Sequence, residues 1–345
     1  MDESKIPIVI LNWNNFPDTK ECVYSVLDGG SLNFIIYILD NNSEKEDSAE
    51  LVKAYSNHPR ISLRLFDKNL GFAKAHNLIL KEIIDEFSMV FMLNNDTYVP
   101  KETLKRIENF SFHPDDGMVA CKMIDYFNRN LMDNAGHKML STGEIIPIGH
   151  GEPVSNYQKS IENLGACAGA SLYKTSMLKE IGLFDPYFDT GYEDAELGLR
   201  AVIAGYKSKF QPDLIVYHKM GQSIKKVFNY QYTLKIQTNI FYTYLKLMPW
   251  QIIGIQIIPF IIRYFIIILI DIIFWRPKYL KIQLHSLFII LFKDLGKVLK
   301  ARKAVKQLRN INWWKLLCLQ DFFLKRDIRN FNKFIIKGEK SYFEK

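Results

Sequence analysis

Cysteine is scarce and scattered. Four cysteines in 345 residues (Cys22, Cys121, Cys167, Cys318) show no Cys-x-x-Cys spacing for a structural zinc and no dense framework for disulfides, which predicts a reducing setting. A long charge-free apolar run is also missing. Trp250 to Trp275 is rich in isoleucine, phenylalanine and leucine, but Pro259, Arg263 and Asp271 interrupt it before it reaches the roughly 20 residues of a spanning helix. Each charge would cost roughly 2.5–3.5 kcal/mol at mid-bilayer, so a helix hairpin or shallow insertion is expected rather than a crossing. The start, Met1-Asp-Glu-Ser-Lys, is polar and acidic and leads into a short strand; no secretory signal is read there, and the catalytic part is expected to stay inside the cell. Internal repeats and low-complexity linkers are absent as well. Basic residues are in deficit over residues 1–220, with 22 Lys+Arg against 31 Asp+Glu, a net of −9. That argues against nucleic acid as the main partner of this part. Residues 221–345 reverse the balance, with 23 against 6 and a net of +17, which points to an anionic surface, most plausibly a membrane leaflet.

What the chain does have is alternation. Apolar runs at Ile6–Leu11, Phe34–Leu39 and Met89–Leu93 read as buried strands, Ile61–Phe66 as an alternating one, and stretches of helical spacing lie between them. Short connections between strands and helices predict a parallel α/β sheet. Ligands of such sheets bind beyond the carboxyl ends of the strands. Polar clusters sit at those ends: Asn12-Trp13-Asn14-Asn15, Asp40-Asn41-Asn42-Ser43 and Asn94-Asn95-Asp96-Thr97. Further on, Gly117–Ala120 reads as a strand, Leu131–His150 as a hairpin turning at Ser141-Thr-Gly-Glu, and Gly165–Tyr173 as a small-residue strand that something approaches closely. Another strand ends at His218.

The organising stretch is Gly182-Leu-Phe-Asp-Pro-Tyr-Phe-Asp-Thr-Gly-Tyr-Glu-Asp-Ala-Glu-Leu-Gly-Leu-Arg200. Asp185-Pro186 and Thr190-Gly191 are turn-forming pairs, so a loop delivers Glu193, Asp194 and Glu196 to the start of a helix, where carboxylates suit the helix dipole. An acidic first turn alone would be ordinary. Aromatic residues just before it can wall a sugar site, and a carboxylate at the rim can take a proton from a hydroxyl.

This stretch resembles the Glu-Asp-x-Glu/Asp-Leu-x-x-Arg segment of family 2 glycosyltransferases, in particular the bacterial rhamnosyltransferase-like and galactofuranosyltransferase-like branch. The likeness covers about residues 6–240. It implies that Asp194 is the catalytic base. Asp40-Asn-Asn-Ser resembles the family's nucleobase segment, which assigns Asp40 and Asn42 to the nucleotide; Asn12 and Trp13 match the first-strand end that lines the nucleoside site. Asn69-Leu-Gly-Phe-Ala-Lys-Ala-His-Asn77 resembles a family segment opening a helix, with Asn69 and Gly71 near the nucleotide and its phosphates; Asn77 is a brace for the loop. Asn94-Asn95-Asp96 stands where the family carries Asp-x-Asp, with Asn94 in place of the first acid. Asn95 is placed at the nucleotide-sugar, and Asp96 with His218 on a divalent metal, Mg2+ or Mn2+. Arg200 is read as anchoring its helix.

The expected architecture is a GT-A-type catalytic domain over residues 1–230 and a basic, membrane-associating helical region over 231–345. In that region Leu284, Leu287, Phe288, Leu291, Leu295 and Leu299 form a helical apolar stripe opposite lysines and arginines, and Trp313, Trp314, Phe322 and Phe323 continue it beside Lys315, Lys325 and Arg326. A packed helical subdomain is the alternative for it. The implied activity is inverting transfer of a sugar, with rhamnosyl a candidate, from a UDP- or dTDP-sugar to a hydroxyl of a glycan or lipid-linked glycan. It would work at the cytoplasmic face of the cell membrane in cell-surface polysaccharide synthesis. A sugar-phosphate nucleotidyltransferase would need a glycine-rich, basic loop after the first strand, which Asn12-Trp-Asn-Asn-Phe-Pro lacks. A non-catalytic assembly protein on the same fold is the third reading.

Overall fold

The computed structural model describes residues 5–30, 33–219 and 229–338. The polar start at residues 1–4, the stretch 220–228 beside the expected domain division, and the side chain of Lys325 lie outside the described residues. The chain forms two compact units, one of Met1–His137 with Pro147–Met220 and one of Lys138–Ile146 with Gly221–Lys345. A division at 230 therefore misses one piece, because the helical unit also takes a hairpin from the middle of the chain.

The first unit alternates as its apolar runs require: β1 (Ile6–Asn12), α1 (Phe16–Asp28), β2 (Phe34–Asp40), α2 (Lys45–Tyr55), β3 (Ile61–Leu65), α3 (Gly71–Ile83), β4 (Met89–Asn94), β5 (Thr97–Tyr98), α4 (Lys101–Glu108), β6 (Asp116–Asp125) and β7 (Met132–Asn134). The hairpin strands β8 (His137–Leu140) and β9 (Ile145–Pro147) follow, then β10 (Ile161–Asn163), β11 (Ala170–Lys174), α5 (Thr175–Ile181), α6 (Glu193–Ala204) and β12 (Lys207–His218). The main sheet runs β10-β12-β6-β11-β4-β1-β2-β3, with β5 on β12 and β7 on β6. Ile8, Ile10, Ile36, Ile38 and Phe91 are wholly buried in its core, as strands covered on both faces must be. Parallel register puts Asn12 beside Asp40 and Leu11 beside Asn94, so the polar strand ends form one edge.

Four strands depart from the parallel expectation: β5, β7 and β10 pair antiparallel at the margin, and β11 does so in the middle. β11 runs antiparallel to both β4 and β6, which brings its start, Ala170, opposite Leu93 and to that same edge. It is also shorter than its small-residue run, since residues 165–169 form no strand. The close approach expected there is real: a Cβ on Gly198 of α6 would lie 2.4 Å from the Cα of Gly165, so the helix docks backbone to backbone.

The second unit contains α7 (Tyr230–Leu247), α8 (Trp250–Ile273), α9 (Pro277–Phe288), α10 (Leu295–Leu308), α11 (Trp313–Cys318), β13 (Gln320–Asp321) and α12 (Leu324–Asn330). β13, β8 and β9 form a small sheet, with the 141–144 turn closed by Leu140 N–H donating to Glu144 O at 2.8 Å. The helix hairpin, one of the two arrangements expected for 250–275, is not there. α8 is one 24-residue helix through Pro259, and it is long and apolar enough to cross a membrane. The interrupting charges are taken up inside the unit: Arg263 donates to Asp327 at 2.6 Å and Arg276 pairs with Asp271 at 3.1 Å. The stripe from Leu284 to Leu299 is likewise not one helix, because a π turn at Ile289–Lys293 separates α9 from α10.

Candidate active site

At the β1–β2 edge the polar residues face each other. Asn12 has no exposed surface; its amide donates to Asp40 at 2.9 Å, Ser43 at 3.0 Å and Asp47 at 2.7 Å, and its oxygen accepts from Thr19 at 2.6 Å. Asp40, 1% exposed, also accepts from the hydroxyls of Ser43 at 2.5 Å and Ser48 at 2.6 Å. Asn95 is 6% exposed and donates to Thr19 at 2.9 Å. These three are the residues expected at the nucleotide, and in the structure their polar atoms hydrogen-bond within this edge, beneath the loop that carries the exposed groups. Asn42, at φ 61°, is exposed, as is Asn69, and Trp13 is half-buried.

Gly71, also expected near the nucleotide, is approached closely by the protein itself. At φ 72° a Cβ there would sit 2.3 Å from the carbonyl oxygen of Asp189, and the Phe72 N–H donates to that oxygen at 2.8 Å. The close approach at Gly71 is to the loop before α6, and the helix-terminal amide of Phe72 is already spent. Asn69 accepts from Asn41 at 3.0 Å and from Gly71 N–H at 2.9 Å. Asn77 braces the same loop as expected, donating to Phe184 O at 2.7 Å and accepting from its N–H at 3.1 Å.

The organising stretch is held from below by Arg200, which is 5% exposed. Its guanidinium grips Glu196 at 3.0 and 2.9 Å and donates to the carbonyls of Ile181 at 2.6 Å, Gly182 at 3.1 Å and Leu183 at 2.7 Å. Its anchoring role is thereby visible. Tyr192, at φ 77°, turns the chain in a conformation that costs a non-glycine residue of order 1–3 kcal/mol and delivers the next two acids in different directions. Glu193 points inward, 7% exposed; burial, then the neighbouring Asp194 charge, push its carboxyl up to about 8, so it is protonated at neutral pH. Asp194 is half-buried and accepts the Ala168 N–H at 3.0 Å and the Ala195 N–H at 2.7 Å. Gly169, next to Ala168, accepts from Asn94 N–H at 2.9 Å, which joins the Asp194 carboxylate to the end of β4.

Two residues after Asn94 stands Asp96, 5% exposed, 3.0 Å from His218 Nε2. The other ring nitrogen, Nδ1, is 2.7 Å from Asp133, which also meets His150 at 3.3 Å. Burial alone would lower the His218 pKa, but the two carboxylates hold it well above the ordinary value; both histidines hold Asp133 well below its own, against burial. Asp133 was not foreseen. It lies in the segment read only as a hairpin, and a lone acid between Met132 and Asn134 gives no spacing to notice. The structure thus brings Asp96 and His218 together and adds Asp133 behind the imidazole, an arrangement that orients a histidine toward a metal.

Residues 8–182 match the family model described as Glycosyl transferase family 2. Among curated proteins none matches the sequence. Among solved structures, GalNAc-T7 with UDP, GalNAc and Mn2+ is similar with a TM-score of 0.54 at 14% identity, over 71% of this chain and 48% of that one. The mannosyltransferase PcManGT from Pyrobaculum calidifontis with GDP-Man and Mn2+ gives 0.48 at 15% identity, over 92% and 79%. TarS 1-349 of S. aureus with UDP-GlcNAc gives 0.49 at 17% identity, over 70% and 66%. The likeness to GalNAc-T7 is one of fold, and this chain spans about half of that protein's length.

Proposed function

Since the chain belongs to glycosyl transferase family 2, we propose that it is an inverting, metal-dependent GT-A-type transferase. It moves a sugar from a UDP- or dTDP-linked donor to a hydroxyl of a glycan or lipid-linked glycan, with rhamnosyl the first donor sugar to screen. The observation that carries this reading is the divided pair at the start of α6: Glu193 buried and neutral, Asp194 half-exposed and fixed by two backbone N–H groups. Asp194 takes the proton of the acceptor hydroxyl as its oxygen attacks the anomeric carbon, and the bond from that carbon to the diphosphate breaks. Because Glu193 keeps its own proton, it does not compete for the acceptor's. Exposed Asn42 and Asn69, with Trp13, face the nucleotide, while Asn12, Asp40 and Asn95 hold the loop behind them.

Asp96 and His218 Nε2 fit a hard divalent ion. One carboxylate and one imidazole converge, and Asp133 fixes the far ring nitrogen. Bound there, Mg2+ or Mn2+ supplies neutralisation of the charge that grows on the departing diphosphate.

In this reading the helical unit lies on the cytoplasmic leaflet as a peripheral or monotopic anchor. Ile258, Ile261, Ile262, Phe265 and Trp275 are 54–86% exposed, and only 11% of the most apolar window of α8 is buried. Apolar groups would enter the acyl boundary while lysines and arginines meet anionic head groups.

The test is transfer by the full chain, with UDP- and dTDP-sugars screened for hydrolysis in Mn2+. Asp194→Asn should keep donor binding and lower turnover by roughly 10²–10⁴-fold, and a chelator should stop the reaction. Near-normal transfer by Asp194→Asn would remove the base assignment; full activity in chelator would remove the metal.

A further inference from the structure

Behind the Asp194 carboxylate lie two side chains, His137 and Cys167, that transfer itself does not use. His137 Nδ1 or Nε2, the Cys167 thiol and an Asp194 oxygen all fall within 4.8 Å of one another. His137 is 7% exposed, and its backbone is fixed in place: its N–H donates to Gly165 O and its carbonyl accepts from Leu164 N–H, each at 2.8 Å. Its buried Nδ1 has no hydrogen-bond partner, although a buried imidazole nitrogen ordinarily finds one. The Asp194 oxygens accept one backbone N–H each, which leaves lone pairs on both.

We infer that His137, Cys167 and Asp194 form a second metal site, suited to a thiophilic divalent ion of the zinc class, and that filling it silences Asp194. An imidazole, a thiolate and a carboxylate make three of the four ligands of a tetrahedral zinc, with the fourth position open to water. In such a tetrahedron ligand atoms lie roughly 3.5 Å apart, so the three side chains close inward by on the order of an ångström. Sulfur separates this site from the one at Asp96 and His218: oxygen and imidazole there accept magnesium or manganese, whereas thiolate favours zinc over both. Binding releases the thiol proton and places two positive charges on the carboxylate, which can then no longer accept a proton from an acceptor hydroxyl. The inhibitory consequence rests on Asp194 being the base; the site itself does not.

The two claims have separate readouts. Cobalt(II) is titrated into the full chain carrying Cys318→Ser, which removes the exposed thiol, under reducing, anaerobic conditions. One equivalent should give the thiolate-to-cobalt charge-transfer absorption and the intense visible bands of a tetrahedral ion; zinc should erase both, and Cys167→Ser or His137→Gln should lack them. Absence of the charge-transfer band, or its survival in Cys167→Ser, overturns the site. Transfer is then measured in Mn2+ with one equivalent of zinc, each protein relative to its own zinc-free rate. The parent should lose at least about tenfold and Cys167→Ser less than about twofold. Equal inhibition of both would place the effect at Asp96 and His218 and overturn the silencing, while a cobalt band without inhibition upholds the site and removes Asp194 as the base.

Discussion

In the sheet unit Ile8, Ile10, Ile36 and Ile38 have no exposed surface, whereas in the helical unit Ile258, Ile261 and Ile262 keep more than half of theirs. Charges do not divide the same way. Arg263 and Asp271 of α8 are 19% and 2% exposed and paired within their unit; the sheet unit buries Arg200–Glu196 and leaves pairs such as Arg64–Glu82 and Lys105–Glu102 largely in solvent. The isoleucines of the two units therefore do opposite work. A core built on burial reads its stability from apolar contacts; a helix with its isoleucines outward and its arginine inward is suited to a surface that is itself apolar. Counting charges along α8 did not show that they are paired: Arg263 with Asp327, 64 residues on, and Asp271 with Arg276 just past the helix end.

The largest effect should come from cutting the sheet unit's buried charge. Arg200→Ala leaves Glu196, which has no exposed surface, without its cation, and should destabilise by roughly 3–5 kcal/mol in a denaturant titration; a change below about 1 kcal/mol would mean that the carbonyl contacts are not held by Arg200. Next is the outward face of α8. Full-length chain should float with anionic vesicles, and Ile258→Ser with Ile262→Ser should weaken that by up to about 2 kcal/mol apiece while shifting unfolding by less than about 0.5 kcal/mol each. Large loss of stability with unchanged flotation would make α8 a core helix and erase the contrast. Point changes are preferable to truncation after Leu247, since that would strip the hairpin 138–146 of its partners in the same unit.

Per pH unit, a smaller effect concerns Glu193. Both states are protonated below the unfolded value of 4.5, and as pH rises from there toward 8 the unfolded chain ionises while the folded one does not. Stability should fall across that window with a slope of at most about 1.4 kcal/mol per pH unit, and Glu193→Gln should lack that part of the fall. Equal pH profiles of the melting temperature for the two proteins would show Glu193 to be ionised in the fold. The smallest change expected is from Lys300→Gln or Lys303→Gln, both exposed, at about 1 kcal/mol each in vesicle binding, abolished in high salt.

Much of the sheet was legible because its strands are short apolar runs closed by polar clusters, and β1, β2 and β4 fall within a residue of their expected spans. Direction was not legible for β11, since an apolar run carries no arrow. At the site, residue types named the neighbourhood but not the bonds within it. Asn12, Asp40 and Asn95 occupy the edge as expected, and only coordinates show that Asn12 bonds Asp40 while Asn95 bonds Thr19. Arg200 was readable because an arginine four residues after Glu196 on a helix has a partner in reach. Asp133 was not, because it is 85 residues from the histidine it holds.

The loop that carries the aromatic residues is pinned at its start and in its middle: Arg200 on residues 181–183, Asn77 on Phe184, and Phe72 on Asp189. A segment fastened through its own carbonyls cannot swing as a hinge without unpairing several buried groups at once. On the transferase reading it is a fixed gauge: a donor or acceptor too bulky for it is turned away before any bond changes, so discrimination at this wall should raise KM and leave kcat for admitted sugars unchanged. On the same reading, release of the spent nucleotide falls to another part of the chain.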